Sequence, residues 1–175
     1  GIIGPNGAGK TTVLNLISGI YPIDSGQILM DGQSISGMKQ YKITRLGISR
    51  TFQNIRLFKG LTVLENVMTA LDSTTRYNLF SAVLHLPSKH RAEKKNRAKA
   101  MEALELVGLS QYRDESPFNL PYGLQRRVEL ARAIVNEPKL LMLDEPAAGL
   151  NPSEIDAFIA LVQKLREIYG FGILF

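Results

Sequence analysis

The sequence contains no cysteine. Disulfide frameworks and thiol nucleophiles are therefore excluded, and the composition suits a reducing compartment. No stretch approaches the roughly 18 consecutive apolar residues that a membrane-spanning helix needs. No secretory leader pattern opens the chain. It starts instead on Gly1-Ile2-Ile3, which reads as the end of a strand, so residues ahead of Gly1 are expected and the chain is read as part of a longer subunit. Internal repeats and low-complexity linkers are also missing.

What is present is a chain of 175 residues, 45% of them hydrophobic, the size of one domain or of a core carrying a subdomain. The net charge is +5. Part of it lies in Lys89, Arg91, Lys94, Lys95, Arg97 and Lys99, opposed locally only by Glu93. Such a run serves as a solvated helix face or as a surface for nucleic acid or anionic lipid; the plainer of the two is the solvated face.

The chemistry begins at Gly4-Pro5-Asn6-Gly7-Ala8-Gly9-Lys10-Thr11-Thr12, which fits G-x-x-x-x-G-K-[ST]. Glycines let a backbone wrap closely around phosphate oxygens. The loop N–H groups and the start of the following helix then point at the anion. Lys10 adds a point charge for the β- and γ-phosphates, and the Thr11 hydroxyl is a ligand for Mg²⁺. Val13, Leu14 and Ile17 are expected on one helical face, with Gly19 as its stop.

Further along, residues 26–35 alternate around Asp31-Gly32, a hairpin signal. Residues 38–45 suit a short helix and 47–53 a strand. Thr62 and Glu65 form a capping box that opens a helix to about Leu71. Residues 73–87 give no clear pattern. A longer helix is expected from Ser88 to Val107, with Ala100, Leu104 and Val107 buried and Gly108 as its stop. Gly123 to Asn136 reads as a helix with Val128, Ala131 and Val135 on one face. Leu140 to Leu143 is a continuous apolar run that ends in Asp144-Glu145, the pattern of a buried parallel strand. Asn151-Pro152-Ser153-Glu154 starts a helix striped by Ile155, Phe158, Val162 and Leu165. A last strand begins at Phe171.

Asp144 and Glu145 fall at the carboxyl end of a buried strand, where open α/β sheets bind ligands. Asp144 is placed to hold Mg²⁺, directly or through water. Glu145 is the candidate to orient and deprotonate an attacking water. An Asp-Glu turn before Pro146, with no chemical role, is the alternative reading of the pair in isolation. Gly123, at a helix start, favours an anion.

The loop GPNGAGKTT, Gln53 after a strand, LPYGLQRRVELARAI and LLMLDEP together resemble the ATP-binding cassette ATPases, in the family's order and over essentially the whole chain. The residues from Leu71 to Gly108 and the string DEPAAGLNP look most like the ATP-binding subunits of branched-chain amino-acid importers, with urea and other amide importers as close relatives. The resemblance implies an α/β fold with a P-loop NTPase core: a mostly parallel sheet flanked by helices, an antiparallel hairpin region and an inserted helical subdomain. Residues 1–53 and 123–175 would form the core, and 54–122 the helical subdomain.

The same resemblance implies roles. Gly4 to Thr12 would hold the phosphates of ATP. Gln53 would touch Mg²⁺ or the lytic water and couple the site to the helical insertion. Leu120 to Leu124 would be the signature stretch, with Gly123 reaching the ATP of a dimer partner, and Ala148 to Asn151 would cross the dimer interface. The expected partners are a second ATP-binding subunit, the same chain or another, transmembrane permease subunits and, indirectly, a periplasmic or extracellular solute-binding protein. The expected location is the cytoplasmic face of the plasma membrane; nucleic acid is not expected.

The signature departs from the family at Pro121, Tyr122 and Leu124, where Ser, Gly and Gln are usual, and Asn151 stands where Asp is frequent. Tyr122 is expected in the amino-acid importer group. The adenine-stacking aromatic and the switch histidine would lie outside residues 1–175, and His85 and His90 read as surface residues. Two other functions fit parts of the pattern: a soluble cassette ATPase that acts on ribosomes or DNA, and a nucleotide-binding module without turnover.

Overall fold

A computed structural model of the chain describes residues 1–5, 7–51, 53, 55–72 and 87–175, with the backbone alone at 72 and 87–90. Asn6, Phe52, His85, the His90 side chain and the stretch 73–86 lie outside the described residues.

Helix α1 runs from Lys10 to Ile17 and ends where Gly19 takes φ 69°. A side chain at Gly19 would also meet the Ile43 side chain and the Met38 carbonyl at 2.7 Å. Of the three apolar residues expected on its buried face, Leu14 is buried and Ile17 half-buried, whereas Val13 is 40% exposed. The hairpin forms as the sequence predicts. Strands β1 (Leu29–Met30) and β2 (Gln33–Ser34) pair antiparallel across Asp31 and Gly32, at φ 50° and 79°. Two successive left-handed residues match the twist of the flanking strands. Helix α2 (Gln40–Arg45) follows, then β3 (Ile48–Arg50).

Helix α3 (Val63–Asp72) opens on the predicted capping box. The Thr62 N–H donates to Glu65 Oε2 at 2.8 Å, and the Glu65 N–H donates to Thr62 Oγ1 at 3.2 Å. The Thr62 N–H foremost, and then the Thr62 hydroxyl, which donates to Glu65 Oε2 at 2.9 Å, hold the Glu65 carboxyl below its usual pKa. Helix α4 spans Pro87–Leu106 and stops before Gly108 at φ 73°. Its charged run is largely solvated: Arg91, Lys94, Lys95 and Arg97 are exposed, and Lys99 pairs with Glu137 at 2.7 Å.

Two 3₁₀ turns lead to α5 (Tyr122–Ile134), then to β4 (Leu140–Met142), α6 (Pro152–Tyr169) and β5 (Gly172–Leu174). Asn151 caps α6 with a reciprocal box to Glu154, and Gly170 closes it at φ 69°.

The strands β3, β4 and β5 form a parallel sheet in that order. Ile48, Leu140 and Gly172 stand side by side at one end, and Arg50, Met142 and Leu174 at the other. Ile2 and Ile3 form no ladder strand. The Ile2 N–H makes a bond of 2.6 Å to the Phe175 carbonyl, and Ile3 is 99% exposed. The bond places the lead-in to the glycine loop beside β5.

Apolar residues on both faces of the sheet divide the core. On one face Leu14, Ile35, Ile43, Ile48 and Met142 join α1, the hairpin and α2. On the other, α3, α4 and α5 pack with Leu141, Leu143 and α6 through Val67, Leu104, Leu130, Ile134 and Leu165. The central strand thus supplies both clusters, which is why its apolar run is unbroken. We predict that Leu104→Ala, at a site with 0% exposure, lowers unfolding free energy by about 2–5 kcal/mol in a denaturant titration, with little change in its slope.

Candidate functional site

The loop ahead of α1 uses its glycines in two different ways. Gly7 and Gly9 have φ 83° and 86°, and a Cβ on either would meet nothing within 4 Å. They are glycines because the backbone is left-handed there. Gly4 has ordinary torsions, but a Cβ on it would sit 3.0 Å from the Ala8 Cβ, so packing sets its size.

The loop delivers the chain to an α1 start that has no side-chain cap and no acidic residue in its first turn. The leading N–H groups are therefore available to an anion, and the helix dipole adds positive potential. Lys10 Nζ donates to the carbonyls of Gly4 at 2.7 Å and Pro5 at 2.9 Å. An ammonium carries three donors, so these bonds fix its place without exhausting it.

The acidic pair arrives from the opposite wall. Asp144 follows β4 and is 5% exposed; Glu145 is exposed, with φ 47°, unusual for a residue with a side chain. Thr11 Oγ1 donates to Asp144 Oδ1 at 3.3 Å. Gln53 Nε2 donates to Glu145 Oε2 at 2.8 Å. Gly7, Gly9, Lys10, Thr11, Thr12, Gln53 and Glu145 line one open cavity of about 350 Å³. Lys10 and Glu145 therefore face the same space, as the sequence requires if both act on one triphosphate. A larger cavity of about 540 Å³ lies between α2, β3, α3 and α5, beside Ile43, Phe58 and Arg132. It holds none of the loop amides, so the chemistry and not the volume identifies the site.

Gly123 is not brought into this cleft. It lies in the first turn of α5 and lines a separate cavity of about 280 Å³ with Pro121, Arg127, Ser153 and Glu154. A Cβ there would stand 2.9 Å from Glu154 Oε1. Tyr122 beside it packs against the backbone at Gly149, where a Cβ would approach the ring to 2.9 Å. Tyr122, one of the three departures from the usual signature, is thus seated on the segment that follows the acidic strand.

Two arginines that sequence reasoning passed over organise these parts. Arg50 Nη2 forms a 2.8 Å ion pair with Asp144 Oδ2, both side chains being 6% exposed. Arg126, on α5, donates to the Gln53 carbonyl at 2.6 Å and the Ala148 carbonyl at 3.5 Å. It also pairs with Glu129 at 3.2 Å, both 2% exposed, and its guanidinium lies 5.3 Å from the centre of the Tyr122 ring. The Arg126/Glu129 spacing of three on a helix was visible in the sequence; burial of the pair was not. Arg132, its pKa lowered by burial and raised by Glu129, approaches the same carboxylate at 3.9 Å.

Known proteins resemble this chain along most of its length. The family profile described as ABC transporter matches residues 1–148. The high-affinity branched-chain amino acid transport ATP-binding proteins BraF of Pseudomonas aeruginosa and LivG of Escherichia coli are each 44% identical over 173 residues, covering 99% of this chain and 68% of their own. A solved ATP-binding cassette of an ABC transporter superposes with a TM-score of 0.79 at 31% identity, over 98% of this chain and 68% of that one.

Removing one member of a buried ion pair leaves an uncompensated charge. Arg126→Met is expected to cost about 3–5 kcal/mol of stability, and Arg126→Met/Glu129→Leu to recover part of that loss in thermal or denaturant melts.

Proposed function

The chain belongs to the ABC transporter family of ATP-binding proteins, and from that membership we propose that it is the ATP-hydrolysing subunit of an importer for branched-chain amino acids. One observation carries the mechanism: the loop glycines, Lys10, Thr11, Gln53 and Glu145 line a single cleft, and Asp144 lies behind it, bonded to Thr11.

In this reading Gly4 to Thr12 cradle the phosphates of ATP, and Lys10 moves charge from the loop carbonyls toward the β- and γ-phosphates. The donor set also fits Mg²⁺. The Thr11 hydroxyl, the Gln53 amide oxygen and the Asp144 carboxylate are hard oxygen ligands. Among the described residues no group of three His, Cys, Asp or Glu side chains is clustered, and Mg²⁺ characteristically leans on substrate phosphates and water. When bound, Mg²⁺ supplies positive charge against the phosphate oxygens.

Glu145 orients a water for attack on the γ-phosphorus and accepts its proton. The 2.8 Å bond from Gln53 fixes the carboxylate's direction. Catalysis is then mostly positioning and charge stabilisation.

Gly123 acts on the ATP of a second subunit. Its place outside this chain's own cleft supports that role, and a two-fold pair gives each nucleotide a loop from one subunit and a signature helix from the other. The second subunit is the same chain or a close relative. The relatives are transport ATP-binding proteins, which supports permease partners, a place at the cytoplasmic membrane face and an upstream solute-binding protein. No described helix is long and apolar enough to cross a membrane.

Glu145→Gln should retain ATP binding while phosphate release by the assembled transporter falls about 10²–10⁴-fold. Phosphate release at the unsubstituted rate would remove Glu145 from the role of base. Deletion of the gene should abolish high-affinity uptake of labelled leucine and spare urea uptake; the reverse result would assign the subunit to a different importer.

A further inference from the structure

Arg50 is a charged residue at the end of a buried strand, where an apolar side chain would satisfy the core. Burying an ion pair costs desolvation that its attraction does not always recover, so packing alone does not explain it. Its bonds give a more specific account. Nη2 donates to Asp144 Oδ2 at 2.8 Å. Nη1 donates to Asn15 Oδ1 at 2.7 Å and to Ser18 Oγ at 3.3 Å.

Thr11, Asn15 and Ser18 are spaced by four and three residues and share one face of α1 and its cap. One rigid guanidinium therefore ties the face that carries Thr11 to the carboxylate of Asp144. The other carboxylate oxygen, Oδ1, is the one that receives the Thr11 hydroxyl at 3.3 Å. With one oxygen pinned by Arg50 and the other beside Thr11, the plane of the carboxylate is fixed.

We propose that Arg50, anchored by Asn15, is a positioning residue for the divalent cation. It sets the rotation of Asp144 so that Oδ1 and the Thr11 hydroxyl present a preformed pair of oxygens. The inference rests on the reading of the cleft as a Mg²⁺–ATP site. It places the control of metal affinity one shell behind the groups that meet the metal, where loss of an orienting partner costs about 10–100-fold in affinity.

The test is equilibrium binding of a fluorescent ATP analogue to the purified protein, in chelator and across a Mg²⁺ titration. Arg50→Lys keeps the charge and removes the fork that holds carboxylate and amide together. Asn15→Ala leaves Arg50 and Asp144 in place and removes only the anchor. The half-saturating Mg²⁺ concentration should rise about tenfold or more in Arg50→Lys, and in the same direction by less in Asn15→Ala, with metal-free binding unchanged.

An unaltered Mg²⁺ response in Arg50→Lys overturns the proposal. So does an equal loss of affinity with and without metal, which is what a merely structural arginine gives. Should Arg50→Lys fail to fold by thermal melt, Asn15→Ala decides alone, on the same two criteria. If the unsubstituted protein binds the analogue equally with and without Mg²⁺, the metal reading of the cleft itself falls, and this inference with it.

Discussion

The parallel pairing of β3 with β4 is the constraint on which the cleft depends. Arg50 stands opposite Met142 at the carboxyl ends of the two strands. The ladder is continued by the Thr51 N–H to the Met142 carbonyl at 3.0 Å. Asp144 and Gln53 therefore leave the same edge of the sheet a few residues apart. A register slip of one residue would exchange which residues of β4 face each of the two core clusters and carry Asp144 away from Thr11. Helix α1 is held to that edge from beneath by Leu14 against Ile43, Ile48 and Met142. Hydrophobic packing thus sets distances of about 3 Å between groups more than a hundred residues apart in sequence.

Gln53 is the junction between the two halves of the machinery. Its side chain holds Glu145, and its carbonyl is held by Arg126 from α5. Arg126 also reaches the Ala148 carbonyl and faces Tyr122. A displacement of α5 therefore acts on the backbone of Gln53 and on the segment after the acidic strand together. Hydrogen bonds to charged donors are short, directional and stronger than neutral ones. They transmit a shift in position that a greasy contact would absorb by rotamer change. The coupling proposed for the glutamine would therefore run through its main chain as well as its amide.

Much of this was legible because local rules and tertiary structure agree. The glycine loop, the Asp31-Gly32 hairpin, the capping boxes at Thr62 and Asn151 and the apolar run of β4 each carry a short-range signal that the fold keeps. Other features depend on partners distant in sequence. Val13 matched a helical stripe but turns outward, because α1 is covered on one narrow face only. Ile2-Ile3 looked like a strand end, and Ile2 does bond the Phe175 carbonyl beside β5, but no ladder forms there. Arg50 and Arg126 carry no local signal that sets them apart in a sequence with 21 lysines and arginines. Only burial against Asp144, Glu129 and the Gln53 carbonyl separates them from the exposed cations of α4. The sequence does put Gly123 at a helix start, but its separation from the loop cleft is a matter of the arrangement of α5 relative to α1.

Glu145 shows how the cleft combines order with exposure. Its left-handed backbone costs of order 1–3 kcal/mol and persists only where the surroundings impose it. Here the buried Asp144 fixes one side of the turn, and Arg126 at the Ala148 carbonyl holds the other. The turn lifts the Glu145 carboxylate off the sheet edge into solvent, while its neighbour stays buried beside Arg50. Two adjacent carboxylates thereby receive opposite environments. One is neutralised by a fixed cation and kept rigid. The other accepts from the Gln53 amide and is left open to water. A continuous strand would alternate the two side chains across the sheet. The strained turn lets a single dipeptide supply both a buried, cation-paired carboxylate and an exposed one, as the proposed metal and water roles require.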